Sequence, residues 1–210
     1  MTAFVGPVVE GTFEIRTRHL RSGRSASWWQ AEIIQDDAIK TTLTACLGED
    51  RPSGVHVKPP TQSHAATPES LESLPFVPNL VPNFTQHFEM RWAIGQPPMS
   101  AGKGSEMGAW VRFREPGLFS KPHLVALMDL LPPAIMQQLD SFKPVSSLTW
   151  HLSFLESMDN VESIRKDAWW FFHVHAQSAK DGYSQQEATL FNDQGKAIAI
   201  SQQSIAVFDQ

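Results

Sequence analysis

Period-two alternation of apolar and polar residues, cut by turn formers, constrains this chain most strongly, because it commits both ends to antiparallel meanders. From Pro7 to Leu47, Val9, Gly11, Phe13 and Ile15 share one strand face. Further along, Trp29, Ala31 and Ile33 oppose Ala26, Trp28, Gln30 and Glu32. Breaks at Arg21-Ser22-Gly23-Arg24 and Gln35-Asp36-Asp37-Ala38 predict three strands and two hairpins. Near the other end, strands are expected over Val145–Leu155, Ala168–Ser178, Ser184–Asn192 and Lys196–Phe208, with turns at Lys180-Asp181-Gly182 and Asn192-Asp193-Gln194-Gly195. Gly23-Arg24-Ser25 and Gly182-Tyr183-Ser184 occupy matching places, which reads either as an internal repeat or as two meanders written alike.

Between the meanders the pattern changes twice. Residues 49–83 have no periodicity and carry seven prolines, at positions 52, 59, 60, 68, 75, 78 and 82. A stretch of about 35 residues far exceeds an ordinary loop and reads as a linker, with at most one helical turn at Pro68-Glu69-Ser70-Leu71-Glu72. Alternation returns over Phe84–Ala93 and Met107–Glu115. A helix is expected next: Ser120 can cap it, Pro122 sits in its first turn, and Leu124, Leu127, Met128 and Leu131 recur at helical spacing. Pro132-Pro133 should end it or begin a new turn over Ala134–Leu139.

Composition excludes several function classes. With 17 Lys and Arg against 22 Asp and Glu, the net charge is -5, which disfavours a nucleic-acid partner. The single cysteine, Cys46, excludes an internal disulfide and a cysteine metal cage, and its alternating surroundings make it a small buried hydrophobe. No run approaches the ~20 apolar residues of a membrane span, and Met1–Pro7 has no signal-peptide pattern, so a cytoplasmic protein is expected. His173 and His175 share a strand face without an evident third ligand, so no metal is expected. Gly102-Lys103-Gly104-Ser105 lacks the glycine and hydroxyl placement of a phosphate loop. Gly23-Arg24-Ser25-Ala26-Ser27 ends in serine and cannot be a nucleophile elbow.

Several segments together resemble the TesB-like acyl-CoA thioesterases. They are His19-Leu20-Arg21-Ser22-Gly23-Arg24-Ser25 with Gln35-Asp36; Trp110-Val111-Arg112-Phe113; Ala126-Leu127-Met128-Asp129-Leu130-Leu131-Pro132-Pro133-Ala134; Ser146-Ser147-Leu148-Thr149; and Ala199-Ile200-Ser201-Gln202-Gln203. The resemblance implies an α+β hotdog fold, an antiparallel sheet wrapped around a long central helix, in a double-hotdog arrangement with an incomplete first half. Residues 1–48 would be a partial N-terminal hotdog holding only the closing meander, 49–83 the linker, and 84–210 a complete C-terminal hotdog with the active site. The implied activity is hydrolysis of a fatty-acyl or related thioester to free acid and CoA, without a covalent intermediate or a cofactor. Carried over by position, Asp129, Ser147 and Gln203 would hold the attacking water. A hydratase branch of the fold is typified by His five residues after its Asp; here that position is Ala134.

Each site residue also has a plainer reading. Asp129 lies among Leu127, Met128, Leu130 and Leu131, where a carboxylate is costly unless it caps the Pro132-Pro133 turn, pairs with an Arg, or acts as a base. Ser147 alternates with Thr149, His151 and Ser153 on what could be a solvated face, and Thr149 is the rival hydroxyl. Gln202 and Gln203 face opposite sides, and the resemblance selects Gln203. The oxyanion would be held by backbone N–H groups near a helix N-terminus. Arg16, Arg18, Arg21 and Arg24 form the densest basic group, which an exposed hairpin explains as well as a CoA phosphate site. A non-catalytic protein binding acyl-CoA or an acyl carrier, and a structural subunit, remain the alternatives. The incomplete first half predicts a homodimer or higher homo-oligomer, or a natural start upstream of Met1. The surplus of Trp and Phe, 20 residues against one Tyr, fits an apolar sheet face needing cover.

Overall fold

The turn-forming residues lie where the chain reverses. Asp36 and Asp37 both adopt positive φ (53° and 57°), as do Asp181 (55°) and Gly182 (80°), which is the backbone that a tight hairpin requires. The computed structural model describes residues 1–62, 66–157, 161 and 164–209. Its strands are β1 (Thr2–Phe4), β2 (Glu14–Ser22), β3 (Ala26–Gln35), β4 (Ala38–Gly48), β5 (Phe88–Ile94), β6 (Glu106–Phe113), β7 (Val145–Phe154), β8 (Trp170–Lys180), β9 (Tyr183–Phe191) and β10 (Ala197–Val207). They form one ten-stranded sheet in the order β2-β3-β4-β1-β7-β10-β9-β8-β6-β5, antiparallel throughout.

That order reads alike in both directions from its middle: β1-β4-β3-β2 one way and β7-β10-β9-β8 the other. The likeness of the two meanders is therefore repeated in their topology. The second half alone continues into β6 and β5. β1 pairs with both β4 and β7 and joins the halves, although the sequence did not mark Thr2–Phe4 as a strand. Residues 7–13 were expected to begin β2 and instead form a loop. The Gln35 amide donates to Val9 O and accepts from Val9 N, both at 3.0 Å, so the backbone of Val9 is held by a side chain rather than a strand.

The helix α1 (Lys121–Met128) lies against β9. It spans eight residues and is short rather than long, because Asp129 leaves helical geometry (φ -110°, ψ 6°) and Pro132-Pro133 cannot continue it. Ser120 has the extended backbone of a cap, but its hydroxyl meets His123 Nδ1 at 2.7 Å instead of a backbone N–H. A 3-10 turn follows over Ala134–Gln138. Leu124 and Leu127 are fully buried with Trp150, Trp170, Phe172, Val174 and Leu190 on the helix-facing side of the sheet. Burying each leucine stabilises the fold by about 2 kcal/mol.

A second apolar cluster, Trp110, Phe171, Phe191 and Ala197 with Leu71, Ile94 and Trp169 packed on it, lies on the opposite side. Part of the Pro-rich stretch covers it. Gln62 N bonds Gly195 O, Trp110 Nε1 bonds Ala66 O, and Leu74 N bonds Met90 O. Pro68–Ser70 makes the single expected turn, as a 3-10 helix. Residues 63–65 of this stretch lie outside the described residues. Arg91 Nη1 holds the carbonyls of Pro68 and Leu71, while Glu89 takes Arg91 and Arg112 on its two oxygens at 2.7 and 2.6 Å. Burial raises the Glu89 pKa, but the bonds from Arg112 and Arg91 outweigh it and hold the carboxyl below its ordinary value.

Among the described residues, none gives the first half such a cover. Pairing places Phe4, Ile15, Ile33, Ala31, Leu43, Ala45, Trp29 and Leu47 on the side of the sheet that α1 covers in the second half. Ile15 is 60% exposed, Leu47 59% and Trp29 39%. Cys46 is exposed as well, contrary to the buried position expected of it, because among the described residues no layer packs on β4. Among the described residues, no helix is long and apolar enough to cross a membrane.

Candidate active site

In the second half of the sheet, the helix-facing side is apolar except at one corner, where Ser184, Gln186, Ser201 and Gln203 interrupt it on β9 and β10. A β-bulge brings Ser147 there. Gln203 pairs with Trp150 and Ser204 with Thr149, but the register then slips and Ile205 pairs with Ser147, leaving Leu148 unmatched. Strict alternation would keep Ser147 beside Thr149. The extra residue instead turns Ser147 to the helix side, with Trp150 and Gln203, and leaves Thr149 exposed on the other side. Gln202 faces away and donates to Glu187 Oε1 at 2.9 Å, whereas Gln203 Nε2 donates to Ser147 Oγ at 2.5 Å.

Asp129 caps the C-terminal end of α1. By accessible surface it is exposed, yet protein atoms crowd its carboxyl enough that burial raises its pKa above the ordinary value. Among the described residues no Arg pairs with Asp129 and no donor engages its carboxyl.

Thus Ser147 and Gln203 meet directly, while Asp129 makes no hydrogen bond to either. Their link is the turn after α1: the backbone N–H of Ala134 donates to Gln186 Oε1 at 3.1 Å, and Gln186 Nε2 donates to Gln203 Oε1 at 2.6 Å. Gln186 was missed in the sequence. Its signal was present, since along Ser184, Gln186, Ala188 and Leu190 it falls in the phase of the buried residues. The first-turn N–H groups of α1 stand at the far end from Asp129, about 12 Å away over eight residues at the helical rise. They are too distant to stabilise an oxyanion formed beside it.

The other groups weighed in the sequence lie elsewhere. His173 and His175 are on the opposite side of the sheet, with His173 Nε2 3.3 Å from Glu106 Oε2. Among the described residues, no three His, Cys, Asp or Glu side chains are grouped to hold a metal ion. Arg16 is paired with Glu14 at 2.7 Å, and Arg18 bonds Gln30.

Comparison with known proteins agrees with this architecture. Residues 68–207 match the family model described as the acyl-CoA thioesterase C-terminal domain, and residues 1–48 match the acyl-CoA thioesterase N-terminal domain. No curated protein matches the chain. Among solved structures, a hotdog-fold protein of unknown function from Alicyclobacillus acidocaldarius is 21% identical (TM-score 0.87), with 98% of this chain and 76% of that one covered. The acyl-CoA thioesterase II TesB2 of Mycobacterium marinum is 17% identical (TM-score 0.73), covering 100% and 79%. The tesB protein of Mycobacterium avium subs paratuberculosis is 19% identical (TM-score 0.74), covering 98% and 76%. At these identities the structural likeness establishes the hotdog fold, and the match over 68–207 establishes the lineage. The chain belongs to the TesB-like acyl-CoA thioesterase family.

Proposed function

We propose that this chain hydrolyses acyl-CoA thioesters, with a water held by Asp129, Ser147 and Gln203. The observation carrying this reading is the Gln203–Ser147 hydrogen bond on the helix-facing side of the sheet's second half, beside its apolar core. Asp129, whose carboxyl burial pushes toward neutral pH, suits a general base. The water oxygen bonds to the thioester carbonyl carbon while Asp129 takes a water proton. The C–S bond then breaks, and the CoA thiolate receives that proton as the free acid departs. Ser147 accepts from Gln203, so its own proton is free to orient the water or the carbonyl oxygen. The acyl chain lies along the apolar surface beside α1.

In this reading residues 84–210 are the complete hotdog, 1–48 a partial one, and 49–83 the connection. The uncovered apolar face of β1–β4 is covered by a second copy, making a homo-oligomer. A thiol-release assay over acyl-CoA chain lengths, with wild type beside Asp129→Asn, tests the activity. Binding without thiol release identifies a non-catalytic acyl-CoA binder and overturns the hydrolase.

A further inference from the structure

We propose that Gln186 is a positioning residue that sets the direction of the Gln203–Ser147 hydrogen bond from the backbone N–H of Ala134. The inference rests on the reading of Ser147 and Gln203 above. The Ala134 N–H can only donate, so Gln186 must turn its Oε1 toward it, at 3.1 Å. Nε2 of Gln186 then points to Gln203, which must answer with Oε1, at 2.6 Å. Gln203 is left with Nε2 facing Ser147 Oγ. One fixed donor thereby decides the orientation of two side-chain amides and makes Ser147 an acceptor, leaving its hydroxyl proton for the water or the substrate carbonyl.

The anchor is built to stay in place. Ala134 is fully buried and follows Pro132-Pro133, whose φ angles are restricted, and Gln186 is 6% exposed. The Ala134 N–H opens the 3-10 turn, where no earlier carbonyl of the turn can accept it, so Gln186 also satisfies an otherwise orphaned donor. Without Gln186, the Gln203 amide can rotate by half a turn and offer Oε1 to Ser147. The serine proton would then be spent on Gln203.

Thiol release is measured for wild type, Gln186→Met, Gln186→Glu, Ser147→Ala and the Gln186→Met/Ser147→Ala pair, with circular dichroism confirming the fold. Gln186→Met should keep KM and lower kcat roughly 10 to 100-fold, the cost of misplacing a reacting group. That loss should largely vanish in the Ser147→Ala background, because the effect passes through Ser147. Gln186→Glu cannot donate when ionised, but its protonated acid can. Its rate relative to wild type at the same pH should therefore climb as pH falls, a profile that a purely packing role does not produce. If Gln186→Met does not fold, that profile decides the matter. Wild-type kcat in Gln186→Met, an equal loss with and without Ser147, or a flat Gln186→Glu ratio overturns the inference alone. Wild-type activity in Ser147→Ala overturns the reading of the site and the inference with it.

Discussion

At the scale of the residue, the role proposed for Asp129 runs against stability. Its folded-state pKa is raised above the ordinary 3.8, so the folded chain holds that proton more tightly than the unfolded chain does. Stability from this group is complete below the ordinary value and is lost as pH rises through the folded one. At neutral pH the ionised carboxylate is therefore a burden, which Asp129→Asn removes. The variant should lose turnover yet melt at a higher temperature than wild type in neutral buffer. Loss of activity with a lower melting temperature would instead mark a structural carboxylate. The acid limb of kcat/KM in wild type should lie above the usual carboxylate range, since the proposed mechanism needs Asp129 ionised to accept a proton.

At the scale of the element, the bulge in β7 decides which hydroxyl joins Gln203 on the helix-facing side. Ser147→Ala should lower kcat on the order of 100-fold, as loss of one preorganised donor does. Thr149→Ala, on the exposed side, should change it by no more than about twofold. The reverse ranking would place the site on the other face of the sheet. A different element constraint acts at the turn before β10. Gly195 has φ +76°, and a Cβ there would stand 2.2 Å from the Gln62 carbonyl oxygen. Gly195→Ala should cost about 1 to 3 kcal/mol in denaturant unfolding, because backbone strain and a backbone clash coincide.

At the scale of the whole molecule, one sheet is built from two unequal halves. The second half buries its apolar side under α1, and the first leaves Phe4, Ile15, Trp29, Leu43 and Leu47 exposed. Apolar patches of this kind mark association surfaces. Light scattering over a concentration series should give a mass of at least two chains. Leu43→Glu, at the centre of the patch, should shift that mass toward one chain while leaving the secondary structure unchanged. A wild-type monomer at every concentration would refute the second-copy cover.

The sequence by itself determined the strands other than β1, the hairpins and the helix position, because alternation, turn chemistry and capping are local. Val145–Leu155 and Lys196–Phe208 were legible to within two residues of β7 and β10. Asp129, Ser147 and Gln203 were named from a family resemblance, not from periodicity, which would have left Ser147 on a solvated face. Only the tertiary structure decided the rest. The bulge at Leu148 depends on how β10 pairs with β7, the role of the Pro-rich stretch on which apolar cluster it covers, and the exposure of Cys46 on a layer being absent. Gln186 gains its partners from Ala134, 52 residues away, and from Gln203 on the next strand. Local propensity carries no information about such pairs, since each exists only once strands distant along the chain have been brought into register.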